Sequence, residues 1–111
     1  MKTKELTDED FWRQITSEGK AALVEFGAEW CPPCRAMNPI LEELSDHFSD
    51  RAVVAKVNVD DNPAITSQFA VRNLPTFLFF KEGQLVNRIV GAVSKLTLEK
   101  QINTLLNGGK L

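Results

Sequence analysis

The two cysteines of this 111-residue chain stand together, as Cys31-Pro32-Pro33-Cys34. Two residues between the thiols permit an intramolecular bond, so the pair can cycle between dithiol and disulfide. The run follows a short apolar stretch and opens a helical one. A helix N-terminus offers free N–H groups and a partial positive charge, and both favour a thiolate. Cys31, near the N-cap, is therefore the expected exposed, low-pKa nucleophile. Cys34, one turn into the helix, is shielded and placed to attack the sulfur of a mixed disulfide. The other chemistry open to a thiol pair is metal binding. Structural zinc takes four ligands, and His47 is the only further Cys or His in the chain. A zinc or iron–sulfur site would need a dimer that pools its thiolates, and no metal site is expected within one chain.

Glu25 is the odd residue in the apolar run Ala21-Ala22-Leu23-Val24-Glu25-Phe26. A carboxylate among apolar neighbours has a raised pKa and can accept a proton near neutrality. The strand that carries it leads straight to the helix, which places it beneath the cysteines. Lys56 is the lone charge in Ala52–Val59. It either closes a buried ion pair with Glu25 or tunes that carboxylate, and the two roles are compatible. Trp30 directly precedes Cys31, a position that favours a ring flanking the site as a contact surface over one buried in the core. Leu74-Pro75 begins a strand in which proline costs a ladder hydrogen bond. Pro75 therefore marks a turn held for a reason, and a cis bond is one way to make it. His47, on the polar side of its helix, reads as solvated, and Met37 reads as core.

These residues need elements to position them. Thr7-Asp8-Glu9-Asp10 supplies a hydroxyl N-cap and an acidic first turn ahead of Phe11 and Ile15, a helix closed by Gly19-Lys20. Ala21–Phe26 is nearly continuous apolar sequence, the mark of a strand buried on both faces. From Cys34 the apolar positions Met37, Ile40, Leu41, Leu44 and Phe48 step by three and four, a helical stripe. Pro39 interrupts that stripe and is expected to kink it, at about 3 kcal/mol in an ideal helix interior. Ala52–Val59 reads as a second buried strand, and Asn62-Pro63 opens a short helix to about Ala70. Thr76–Phe80 and Leu85–Val90 read as strands joined through Lys81-Glu82-Gly83-Gln84, a hairpin signal. Leu98, Ile102, Leu105 and Leu106 line a last helix that Gly108-Gly109 terminates. With a short first strand near Thr3–Leu6, this order predicts an α/β fold, a mixed sheet covered on both sides by helices.

A chain of 12.4 kDa suits a single domain over residues 1–111, with no repeat, linker or low-complexity tract to divide it. Hydrophobic residues at 43% and charged residues at 25% argue against disorder. A formal net charge of −2 gives no bulk drive toward nucleic acid or an anionic membrane. The sign is uneven, with 6 basic and 11 acidic side chains over residues 1–55 against 7 and 4 over residues 56–111. No apolar run approaches the roughly 20 residues needed to span a bilayer. The N-terminus carries no secretory h-region, so a cytoplasmic location is expected. In a reducing compartment a close cysteine pair is catalytic or metal-binding before it is structural. There is no phosphate-cradling loop, basic–aromatic patch or Ser/His/Asp set.

Three separated segments resemble one known family. Phe26-Gly27-Ala28-Glu29-Trp30-Cys31-Pro32-Pro33-Cys34, then Asn73-Leu74-Pro75-Thr76, then Val90-Gly91-Ala92 are similar in order and spacing to the thioredoxins. The resemblance runs from Leu6 to about Leu106. It implies the thioredoxin fold, a central mixed sheet flanked by four helices, and no bound cofactor beyond a redox-active Cys31–Cys34 disulfide. It makes Cys31 the nucleophile and Cys34 the resolving cysteine. Glu25 takes the place of the family's buried aspartate, the proton acceptor, and Lys56 that of its neighbouring lysine. Pro75 matches the cis-proline facing the disulfide. Trp30, Leu74, Val90, Gly91 and Ala92, with the loop residues Pro32 and Pro33, match the surface that grips protein substrates. The implied partners are disulfide-containing client proteins and a flavoprotein thioredoxin reductase that passes on electrons from NADPH. A monomer is expected, with no nucleic acid or membrane partner.

The sequence departs from the family pattern at four positions. Pro32 stands where glycine is usual, Glu25 where aspartate is, Gly27 where an aromatic is common, and Asn73 where glycine is usual. Rival readings remain at this point. The same dithiol suits a disulfide isomerase or oxidase, a dimer suits a metal or iron–sulfur module, and the fold suits a binding scaffold in a larger complex.

Overall fold

A computed structural model describes residues 3–16 and 20–108. In chain order the elements are β1 (Lys4–Leu6), α1 (Phe11–Thr16), β2 (Ala21–Gly27), α2 (Pro32–His47), β3 (Ala52–Asn58), α3 (Pro63–Gln68), β4 (Thr76–Lys81), β5 (Gln84–Val90) and α4 (Lys95–Leu106). The strands form one five-stranded sheet in the order β1-β3-β2-β4-β5. β1, β3 and β2 run parallel, and β4 and β5 pair antiparallel beyond β2. This is the mixed sheet with four helices that the sequence predicts.

β2 lies in the middle of the sheet and is buried at every one of its seven positions, as its nearly continuous apolar composition leads one to expect. Alternation along the strands divides the interior in two. Leu23, Val54, Phe77 and Phe79 face α2 and α4, where they meet Leu41, Leu44, Leu98 and Ile102. Val24, Phe26, Val57 and Phe80 face α1 and α3 and pack on Phe11, Ile15 and Ile65. β3 is less enclosed than its sequence suggests. Val53, Lys56 and Asn58 are only half-buried, because the strand beyond it is three residues long.

Local chemistry explains the junctions. Glu82 and Gly83 both take positive φ, 51° and 79°, as the two central residues of a type I′ hairpin turn do. The first helix begins at Phe11, later than its acidic signal suggests. Thr7 is nonetheless the hydroxyl cap the sequence predicts: it accepts the Asp10 N–H, and Asp10 in turn accepts the Thr7 N–H, across the turn that leads into Phe11. Asp8 accepts hydrogen bonds from the N–H groups of Ala64 and Ile65, at 3.1 and 2.8 Å, and so caps α3 from a distant part of the chain. α2 continues through Pro39, which faces solvent and removes only the N–H that would have bonded to Arg35. Gly108, with φ 76°, follows the end of α4. Gly19 and Gly109, also expected to close helices, lie outside the described residues.

Candidate active site

The carboxyl ends of parallel strands are where open α/β sheets place their chemistry. β2 delivers Cys31 and Cys34 to that edge across the short turn 28–30. Cys31 is the N-cap of α2, with extended φ and ψ of −96° and 107°. Pro32 and Pro33 fill the first helical positions, where a fixed φ is pre-set for the helix and a missing N–H costs least. The two sulfurs are joined as a disulfide, with Cα atoms 5.2 Å apart. The N–H of Cys34 donates to the Cys31 sulfur at 3.3 Å. Neither proline has an N–H to add to it.

Cys31 is not exposed, contrary to its sequence reading. It is 4% exposed and Cys34 3%, because Ala28, Val59 and Leu74 pack around both. Leu74 belongs to the loop before β4, and its peptide bond to Pro75 is cis. Pro75 is buried, and its carbonyl accepts the Gly91 N–H at 2.8 Å, which ties the Val90–Ala92 segment to the loop. Gly91 has φ 96° and open space around it, so glycine serves backbone conformation there and not clearance. Val90, Ala92, Pro32 and Pro33 are all exposed. Trp30 lies 64% exposed, and its indole N–H donates to Asp60 at 2.7 Å. Its ring therefore flanks the site on the outside.

Glu25 lies behind the disulfide, 2% exposed, with its Oε2 atom lacking any hydrogen-bond partner. Burial pushes its carboxyl up to about 7 from an ordinary 4.5, and the positive charge of Lys56 partly opposes that rise. Lys56 sits beside Glu25 in the parallel register. Among the described residues the two make no direct ion pair, so Lys56 tunes the carboxylate from a distance. Gly27 supplies the connection to sulfur. A Cβ built there would lie 3.2 Å from the Cys34 sulfur and 3.3 Å from Glu25 Oε1. The carboxylate and the sulfur therefore border one small space that any side chain at position 27 would occupy. A cavity of about 340 Å³, lined by Glu25, Gly27, Cys34, Arg35, Asn38 and Lys56 among others, opens this space toward solvent.

The structure thus packs Leu74 with Cys31 and Cys34 on the outer side, Pro75 following Leu74 across the cis bond, and places Glu25 and Lys56 along the cavity on the inner side. Trp30 and the Val90–Ala92 segment form an exposed rim. Sequence reasoning missed Asp60 as the anchor of Trp30. The signal for it was its place just past β3, beside the end of β2. His47 is exposed on α2, 3.9 Å from Glu99, away from the site. Among the described residues no group of three or more His, Cys, Asp or Glu is arranged to hold a metal ion. No described helix is long and apolar enough to cross a membrane.

Comparison with known proteins agrees with this geometry. The thioredoxin family model matches residues 2–104. The chain is 42% identical over 99 residues to a thioredoxin of Chlorobaculum thiosulfatiphilum, covering 89% of this chain and 92% of that one. It is 44% identical over 104 residues to a thioredoxin of Alicyclobacillus acidocaldarius, covering 94% and 98%. A thioredoxin of Pyropia yezoensis is 35% identical over 107 residues, covering 96% of this chain and the whole of that one. With the cysteine pair bridged at the head of α2 and matches spanning nearly the entire chain, the protein belongs to the thioredoxin family of thiol–disulfide oxidoreductases.

Proposed function

We propose that this protein, a single thioredoxin domain over residues 1–111, works as a cytoplasmic monomer that reduces disulfides in client proteins. Its electrons come from NADPH through a thioredoxin reductase, which makes it an electron-transport partner of that flavoprotein. The Cys31 thiolate attacks a client disulfide, forms a mixed disulfide and releases one client thiolate. Cys34 gives its proton to Glu25 and attacks the Cys31 sulfur. The second client thiolate leaves, the client gains two electrons, and the Cys31–Cys34 disulfide is restored. Lys56 holds Glu25 in its working range, and Pro75 faces the disulfide. Trp30, Pro32, Pro33, Leu74, Val90, Gly91 and Ala92 receive the client chain.

The observation that carries this reading is the common space at Gly27, bordered by the Cys34 sulfur on one side and a buried carboxylate on the other. A proton acceptor with a pKa of about 7 suits work near neutral pH. The cap of α2 favours reduction over oxidation. Strong dithiol oxidants depend on a well-stabilised thiolate, and here a single N–H, from Cys34, meets the Cys31 sulfur in the cap. Cys34→Ser is expected to trap a covalent adduct between Cys31 and a client, visible on non-reducing gels and removed by dithiothreitol. If no adduct accumulates with any disulfide-bearing protein, the reductase cycle is wrong.

A further inference from the structure

The inner side of the site contains a row of charges that the cycle above does not use in full. Glu5 on β1 is in register with Lys56 on β3, and Lys56 is in register with Glu25 on β2. Side chains in register on neighbouring strands project from the same face of the sheet. The row therefore runs Glu5, Lys56, Glu25 beneath α2 and ends at Phe77, which is fully buried. Burial is graded along it. Glu5 is exposed, Lys56 half-buried and Glu25 buried. All three line the same cavity, together with Cys34. Among the described residues neither carboxylate holds Lys56 in a direct ion pair, so the ammonium lies between two competing partners.

We propose that Glu5 is a positioning residue for proton transfer at Glu25, acting through Lys56. The inference rests on Glu25 being the proton acceptor for Cys34. Glu5 acts on Glu25 in two ways, and both have the same sign. A carboxylate at the sheet edge draws the Lys56 ammonium outward, away from Glu25. Its own negative charge, two strand spacings or roughly 10 Å from Glu25, also disfavours a second carboxylate. Both effects make Glu25 hold its proton more tightly, toward the pH at which it must exchange with a thiol. The remaining charged groups facing the cavity are Glu29, after β2, and Arg35, on α2. Arg35 donates to the Glu29 backbone carbonyl at 2.7 Å, which holds its guanidinium close to that turn. Cys34 is uncharged in the disulfide, and β4 contributes only Phe77.

The test is a carboxyl-carbon NMR titration of Glu25 in the full-length disulfide form. Glu5→Gln is expected to lower the Glu25 midpoint by about half a pH unit, as for partly screened charges ~10 Å apart. Glu5→Lys is expected to lower it further. Glu9→Gln removes an exposed charge outside the row and should leave the midpoint in place. In a Lys56→Met background the effect of Glu5→Gln should shrink. An unmoved midpoint in both Glu5 variants overturns the proposal. So does an equal shift in Glu9→Gln, or an undiminished shift without Lys56. The pH profile of mixed-disulfide resolution separates this from the underlying reading. If Glu25→Gln leaves resolution unchanged, Glu25 is not the acceptor; if Glu25→Gln slows it while Glu5 variants leave the midpoint alone, only the role of Glu5 fails.

Discussion

At Glu25 and Gly27 two departures from the family pattern meet in one place. The longer carboxylate extends toward Cys34 through space that a side chain at position 27 would fill. Glu25→Gln keeps the shape of that side chain and removes its ability to take a proton. It is expected to slow resolution of the mixed disulfide roughly 100-fold, the low end for a general base, while the first attack by Cys31 keeps its rate. Stopped-flow measurement of the two phases checks this. The sequence made Cys31, Cys34 and Glu25 legible because each is chemically conspicuous, two thiols at fixed spacing and one charge in an apolar run. The burial of Cys31 was not legible. It is covered by Val59 and Leu74, which come from separate loops and have no local signature pointing at residue 31.

Among the elements, α2 sets the chemistry of the thiol through its cap. An N-cap side chain takes its hydrogen bonds from the N–H groups of the second and third helical residues. Those are Pro33, which has none, and Cys34, which donates at 3.3 Å. Pro32 occupies the first position, whose N–H is not a capping donor, so its departure from glycine leaves the cap unchanged. Pro33→Ala restores a donor to the Cys31 thiolate. A hydrogen bond to a charged group contributes about 1.5–3 kcal/mol, and about 30 mV corresponds to 1.4 kcal/mol for this two-electron couple. Pro33→Ala is therefore expected to make the couple more oxidising by roughly 30 mV or more, and Pro32→Gly to move it much less. Equilibration with glutathione measures both. Element order and type followed from apolar periodicity and turn residues. The cap of α3 did not, because Asp8 satisfies N–H groups 56 and 57 residues away.

For the whole molecule the buried acid has a thermodynamic cost. Glu25 binds its proton more tightly folded than unfolded, since its pKa rises from 4.5 to about 7. Between those values the folded state holds the extra proton, so stability falls as pH rises and the penalty is complete above about 7. The raised pKa corresponds to roughly 3 kcal/mol. Glu25→Gln should remove this dependence and be more stable than the parent at pH 8, with little difference at pH 4. Denaturant unfolding of the disulfide form at the two pH values reads it directly. A substitution that slows turnover is thus expected to strengthen the fold.

The placement of the two tryptophans also determines how the protein interacts with light. The chain contains two Trp and no Tyr, so indole dominates its near-ultraviolet absorption and emission. Trp12 packs edge-on against Phe11 and Phe80, on the α1 side of the sheet. Trp30 immediately precedes Cys31 and is anchored by Asp60. An excited indole next to a disulfide loses emission to the sulfur–sulfur bond and regains it when that bond opens. A Trp12→Phe protein keeps Trp30 as its one indole, and its emission is expected to rise when the Cys31–Cys34 bond is reduced, which a fluorescence trace taken during dithiothreitol addition checks without a label.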